Sequence, residues 1–261
     1  MYVSVKLNSG LGNRFFQVAA MLGYAERYGH TAVFVRDWIA DNPSHPGPFG
    51  ITAFFPEIPV LERLEGAWAT IQMAEADGLR YVPLDGVDGN VCLEGCFQSE
   101  QYFPTRWIVP ALLADWVGGH MIPFETAAFL HVRRGDYLNP LCAHHRVDLA
   151  DYIRRSLALY PTGTVFVVCS DDIAWCKSSL PGLYADIVSS DKWRWFDGSD
   201  YDTLAVMMRC ARGGICANST FSWWGAYFGT RALVCMPAVW GYSPMPVAVD
   251  IWPGWAVRLP V

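Results

Sequence analysis

Charge is scarce in this sequence. Of its 261 residues, 17% are charged and 52% are hydrophobic. No Lys/Arg block stands out, and the formal net charge is −6, so the electrostatic footprint of a nucleic-acid binder is missing. No apolar run approaches the ~18 residues needed to cross a bilayer, and the start, Met1-Tyr2-Val3-Ser4-Val5-Lys6-Leu7, alternates like a strand instead of reading as a signal peptide. The chain is therefore expected to be soluble and cytoplasmic. No Cys-x-x-Cys occurs among the eight cysteines, which argues against a zinc site and for a reducing compartment. Cys169, Cys210, Cys216 and Cys235 lie in apolar segments and read as buried free thiols, while Cys92 and Cys96 are placed on one strand face. Repeats of 20–50 residues and low-complexity tracts are absent too.

What is present is a large apolar content and an alternation of strand and helix patterns. Residues 2–7 read as a strand, 13–28 as a helix and 31–36 as a strand. A Pro/Gly-rich insertion at 37–60 follows, then a strand at 90–97 and a helical stretch at 99–117 interrupted by Pro104 and Pro110. After Gly118-Gly119 and Pro123 the pattern restarts. Strands are expected at 127–132, 164–169, 186–189, 213–217 and 232–236, and helices at 148–160, 173–179, 201–212 and 221–229. Apolar strands alternating with helices predict parallel sheets covered on both faces, in two α/β units with a cleft between them. The boundary falls at 122/123, giving residues 1–122 and 123–261, with the C-terminal tail packing back on the first half.

The scarce charge is concentrated in His131-Val132-Arg133-Arg134-Gly135-Asp136-Tyr137, at the C-terminal end of a predicted strand, where open α/β sheets bind ligands. Guanidiniums cannot be discharged and need an anion. Strand alternation puts His131 and Arg133 on one face and turns Arg134 away. Arg133 is thus expected to meet a ligand phosphate and Arg134 a structural carboxylate, Asp136 or a neighbour; a purely structural Arg–Asp network is the alternative.

Three further strand ends carry chemistry. Gly10-Leu11-Gly12-Asn13-Arg14 can bring backbone N–H groups to an anion at a helix N-terminus, but Phe15 stands where a dinucleotide fingerprint needs its third glycine. A plain turn capped by Asn13 fits equally well. Ser170-Asp171-Asp172 can accept hydrogen bonds from ribose or base, or cap the next helix. Asn218-Ser219-Thr220-Phe221-Ser222-Trp223-Trp224 joins a strand to a helix, with small polar groups able to meet a phosphate and aromatics that belong to the core. Asn218-Ser219-Thr220 is also a formal glycosylation sequon, read here as a site residue cluster instead. Asp200-Tyr201-Asp202 matches an Asp-x-Asp metal pattern but sits where a helix cap belongs, and His144-His145 lacks partners for a metal.

Taken together, Gly10–Asn13, Phe97-Gln98-Ser99-Glu100-Gln101-Tyr102-Phe103, His131–Tyr137 and Asn218–Trp224 resemble the α-1,2-fucosyltransferases, relatives of the α-1,6- and protein O-fucosyltransferases. The resemblance implies a GT-B architecture of two Rossmann-like halves, the first on the acceptor side and the second holding GDP-fucose. It implies transfer of L-fucose, with inversion and without a metal or other cofactor, to the 2-hydroxyl of a galactose-type glycan acceptor. Carried over by position, His131 and Arg133 hold the GDP, with Arg133 on the diphosphate, and Gly12, Asn13 and Arg14 lie by the β-phosphate. Ser170, Asp171, Asp172, Asn218, Ser219, Thr220 and Phe221 line the nucleotide site. Asp136 is the candidate base, although pairing with an arginine would make it a poor one. A transferase for another nucleotide sugar and a catalytically dead carbohydrate-binding protein are the competing readings.

Overall fold

The computed structural model describes residues 1–39, 50–63, 66–74, 79–106, 109–118, 121–243, 245 and 249–261. Two compact units result, Met1–Ala114 with Ala248–Pro253 and Asp115–Val247 with Gly254–Val261. Both are α/β with parallel strands.

The first unit opens with β1 (Tyr2–Val5), α1 (Leu11–Tyr28), β2 (Thr31–Ala32) and β3 (Phe34–Val35), then β4 (Val60–Leu61), β5 (Trp68–Gln72), β6 (Asn90–Glu94) and α2 (Ala111–Ala114). A four-stranded sheet has the order β2-β1-β6-β5, and β3 pairs with β4 apart from it. The single strand expected at 31–36 divides because Val33 N–H still bonds to Val3 while Phe34 N–H goes to Pro59. The helix begins at Leu11, with Gly10 as its N-cap, so Asn13 lies inside the first turn and is not the cap. Gly23 lets α1 press against the next loop, since a Cβ there would stand 1.9 Å from the Tyr102 carbonyl oxygen.

The helical stretch expected at 99–117 is mostly not helix. Its described part holds a 3₁₀ turn at Glu100–Tyr102 and the short α2, with Pro104 and Pro110 denying the N–H groups a longer helix needs. Residues 107, 108 and 119, and 40–49 of the expected insertion, lie outside the described residues. The strand expected over 90–97 stops at Glu94, which leaves buried Cys92 on it and exposed Cys96 beyond it.

The second unit contains β7 (Ala127–Val132), α3 (Ala150–Leu157), β8 (Val165–Ser170), α4 (Ile173–Leu183), β9 (Trp193–Phe196), α5 (Asp200–Arg209), β10 (Gly214–Ile215), α6 (Thr220–Phe228), β11 (Val234–Pro237) and β12 (Val257–Leu259). Its sheet runs β12-β11-β10-β7-β8-β9. All of β7 is buried, as expected of a strand covered on both faces. No strand forms at 186–189. The Ile187 and Val188 N–H groups return to the Tyr184 carbonyl in the turn that ends α4, and the strand forms instead at Trp193–Phe196. Strand order reverses between β7 and β10, which makes the space beyond their C-terminal ends the topological switch point.

Candidate active site

Three of the quoted motifs leave adjacent strands β10, β7 and β8 at their C-terminal ends. Register decides the details. Val132 pairs with Ser170, so the next residues along, Arg133 and Asp171, are cross-strand neighbours. Arg133 Nη1 lies 3.0 Å from Asp171 Oδ2 and Arg133 Nη2 2.8 Å from Asp136 Oδ1. Burial alone would lower the Arg133 guanidinium, and the carboxylates of Asp171 and Asp136 more than reverse this, so it stays charged. Arg134 turns away as the alternation requires. Its structural carboxylate is the neighbour Asp172, at 3.0 Å from Nε, and its guanidinium lies 3.8 Å from the Trp175 ring. Asp136 goes to Arg133 instead.

Asp171 also accepts the Arg134 backbone N–H at 2.8 Å, and Asp172 caps α4 by accepting the Trp175 N–H. The Arg134 hydrogen bond, then that of Trp175, holds the Asp172 carboxyl below its ordinary range. Ser170 Oγ accepts the Asp172 N–H at 3.0 Å. A Cβ on Gly135 would come within 2.6 Å of Asp171 Oδ2, an oxygen that is not free to retreat, so only glycine suits this turn. Two guanidiniums thus face three carboxylates, and an incoming phosphate must compete with a carboxylate for Arg133.

His131 is 5% exposed, with the Phe221 ring at 5.8 Å. Burial, then the charge on Arg133, pushes its imidazole down to about 3, so it is neutral across the physiological range. Its Nδ1 has no hydrogen-bond partner among the described residues. Asn218, at 2% exposure, gives its Nδ2 to the carbonyls of His145 (2.8 Å) and Trp240 (2.9 Å), while its own carbonyl accepts from Tyr137 Oη at 3.0 Å. Its amide is engaged in tying two loops together, and a buried amide is no place for a glycan. Ser219 caps α6, and Thr220 and Phe221 open that helix.

The loop after Arg134 is braced by residues to which the sequence reading gave no role. Arg146 donates to the Tyr137 and Leu138 carbonyls at 3.1 and 2.7 Å, and His145 stacks on Tyr137 at 5.1 Å. Burial raises the Tyr137 phenol to about 12, so it serves as a neutral donor to Asn218. The aromatic and basic residues at 137, 145 and 146 were visible as types, but nothing local gives their partners.

In the first unit, Gly12, Asn13 and Arg14 form the first turn of α1, whose N-cap Gly10 supplies no side-chain bond. Asn13 Oδ1 accepts from Gln98 Nε2 at 3.0 Å, and Arg14 Nε donates to the Ser9 carbonyl. Buried Gln17 ties Asn8 to Gly95, joining the loop after β1 to the one after β6. Asp200-Tyr201-Asp202 begins α5, as expected, but Ser199 is the cap. Asp202 accepts from Trp116 Nε1 at 2.8 Å and Ser199 Oγ at 2.6 Å. Among the described residues, no group of three or more His, Cys, Asp or Glu could hold a metal ion, and no helix is long and apolar enough to cross a membrane.

Residues 119–241 match the family described as glycosyl transferase family 11. The chain is 33% identical over 156 residues to an α-1,2-colitosyltransferase of Escherichia coli, covering 53% of this chain and 51% of that protein. It is 31% identical over 135 residues to the O-antigen biosynthesis glycosyltransferase WbnK of Escherichia coli, covering 47% of this chain and 42% of the relative. To the galactoside 2-α-L-fucosyltransferase Sec1 of Mus musculus it is 33% identical over 108 residues, 40% of this chain and 28% of the relative. The chain thus spans about half the length, or less, of these curated relatives. No solved structure matches it. The family resemblance is borne out as a match: residues 119–241, which hold the motifs His131–Tyr137 and Asn218–Trp224, are similar to glycosyl transferase family 11.

Proposed function

We propose that the chain is an inverting, metal-independent transferase that moves L-fucose from GDP-β-L-fucose to the 2-hydroxyl of a galactose-type acceptor, forming an α-1,2 linkage. One observation carries the reading: the segment matching family 11 contains His131–Tyr137, and its Arg133 stands at the C-terminal end of β7, beside the switch point of the sheet. The names of relatives that transfer fucose to galactosides support the substrate class. In this reading, as a GT-B architecture implies, the second unit takes the donor and the first the acceptor.

The chemistry follows from charge. As the sugar leaves GDP, negative charge grows on the β-phosphate. A guanidinium fixed beside that oxygen does the work a metal would otherwise do, and such a donor contributes about 3–4 kcal/mol. Arg133 is half of that device already, held from both sides by Asp136 and Asp171. Asp136, 47% exposed at its side chain against 24% for Asp171, is the partner a diphosphate displaces. The exchange moves Arg133 onto phosphate and frees the Asp136 carboxylate for the acceptor hydroxyl. A β-linked donor and an α product mean one in-line displacement.

A second reading has its own support, since the relative matched over 156 residues is a colitosyltransferase. A donor panel separates the two. Release of the nucleoside diphosphate, GDP or UDP according to the donor, is followed with GDP-fucose, a GDP-colitose donor, other GDP sugars and UDP sugars, with a galactoside present. Preference for GDP-fucose is expected. Preference for the colitose donor installs the second reading, and turnover of UDP sugars alone removes both.

A further inference from the structure

We propose that Gln98 is a sugar-recognition residue whose Oε1 accepts a hydrogen bond from a hydroxyl of one of the two sugar substrates. The inference rests on the glycosyltransferase reading above and assigns a residue that reading leaves without a role. Gln98 follows β6, and β6 pairs with β1, so it stands with the first turn of α1 beyond the C-terminal ends of two adjacent parallel strands. That is the position at which α/β sheets receive ligands. The side chain is 7% exposed. Its Nε2 donates to Asn13 Oδ1 at 3.0 Å, which fixes the amide, while Oε1 is buried with no hydrogen-bond partner among the described residues.

An orphaned buried acceptor is costly, and folding alone gives no reason to keep one. The loop itself is seated by apolar and aromatic anchors. Phe97 is fully buried at φ +52° with its ring 5.3 Å from that of Tyr102, and the Tyr102 hydroxyl accepts the Val82 N–H at 2.7 Å. A leucine or methionine at position 98 would remove the orphan and give up only the bond to Asn13. A non-glycine residue held at positive φ next to an unsatisfied polar group is the pattern of a ligand clamp.

The chemistry of the missing partner is narrow. A carbonyl oxygen takes only a donor, so a phosphate does not serve and a hydroxyl does. The hydroxyl can belong to the acceptor glycan or to the donor's sugar, and kinetics distinguish them.

The test uses the full chain and compares wild type with Gln98→Met, which keeps length and removes both polar ends. Steady-state kinetics with GDP-fucose and a galactoside are run beside thermal melts and calorimetry with GDP alone. Gln98→Met is expected to melt no lower than wild type and to raise KM for one sugar substrate roughly 10- to 100-fold, the loss of one buried hydrogen bond. A rise for the galactoside assigns the acceptor hydroxyl. A rise for GDP-fucose with GDP affinity unchanged assigns the donor hydroxyl. Both KM values unchanged, with or without a lower melting temperature, would overturn the proposal. Monodeoxy analogues, leaving out the 2-deoxy galactoside that lacks the reacting hydroxyl, give the same answer on wild type even if the variant does not fold: one further hydroxyl must be needed, and equal use of all these analogues also overturns it. Wild type that turns over while Gln98→Met matches it refutes only this inference. Wild type with no turnover on any nucleotide sugar refutes the function and takes the inference with it.

Discussion

Asp136→Asn should make the protein bind GDP more tightly while transferring more slowly. Asp136 Oδ1 lies 2.8 Å from Arg133 Nη2, so a diphosphate gains the guanidinium only by displacing it. A charge-assisted hydrogen bond contributes about 1.5–3 kcal/mol when well buried. This one must be discounted, because the Asp136 side chain is 47% exposed, and exposed ion pairs contribute only about 0.2–1 kcal/mol. Removing the competitor should therefore return about 1 kcal/mol to GDP, roughly a fivefold tighter Kd at low salt. The gain should shrink in 0.5 M NaCl, where the Debye length falls below ~5 Å. Asp171→Asn should not behave this way. Asp171 also holds the Arg134 N–H at 2.8 Å, so its loss disorders Arg133 instead of releasing it. Calorimetric titration of GDP into the three proteins at two salt concentrations measures all of this. Asp136→Asn that folds and binds GDP no better than wild type would refute the exchange.

Arg133→Lys should lower transfer below a tenth of wild type, a loss above about 1.4 kcal/mol, because one ammonium cannot replace a fork already spanning two partners; initial rates at saturating donor check it. For His131 the folded value of about 3 lies below the ordinary 6.5, so the unfolded chain takes up the proton first. Stability should be complete above pH 6.5 and fall with pH towards 3, by about 3 kcal/mol at pH 4.5, and denaturant titrations should show a flatter profile in His131→Gln. Transfer should survive EDTA, since Asp202 is engaged by Trp116 and Ser199; activity lost to chelation and restored by manganese, but not in Asp202→Asn, would install a metal there.

The central strands could be read from the sequence because strands buried on both faces appear as apolar runs, as Ala127–Val132 and Val165–Ser170 do. Edge strands could not. Trp193-Arg194-Trp195-Phe196 carries a charge in its middle, and the more apolar Ile187-Val188 spends its N–H groups on the end of a helix. Five residues at Trp68–Gln72 pair fully with β6, yet they are partly exposed and so form no apolar run that marks a strand. In the site, residue types and strand-end positions were legible, including the outward turn of Arg134. The partners were not, because they depend on register: pairing Val132 with Ser170 delivers Asp171 to Arg133 and Asp172 to Arg134. The capping role expected of Asn13 failed for a similar reason, since Gly10 starts the helix earlier and frees Asn13 to orient Gln98.

The most direct test of the account is the linkage of the product. The protein is incubated with GDP-fucose and a β-galactoside in EDTA, and the product is examined by NMR. The account predicts one fucose in α configuration on the galactose 2-hydroxyl, with one GDP released per transfer. A β-configured product, or a fucose on another hydroxyl, would contradict the proposed reaction, and the absence of any transfer from GDP-fucose would contradict the assignment of Arg133 to the diphosphate of that donor.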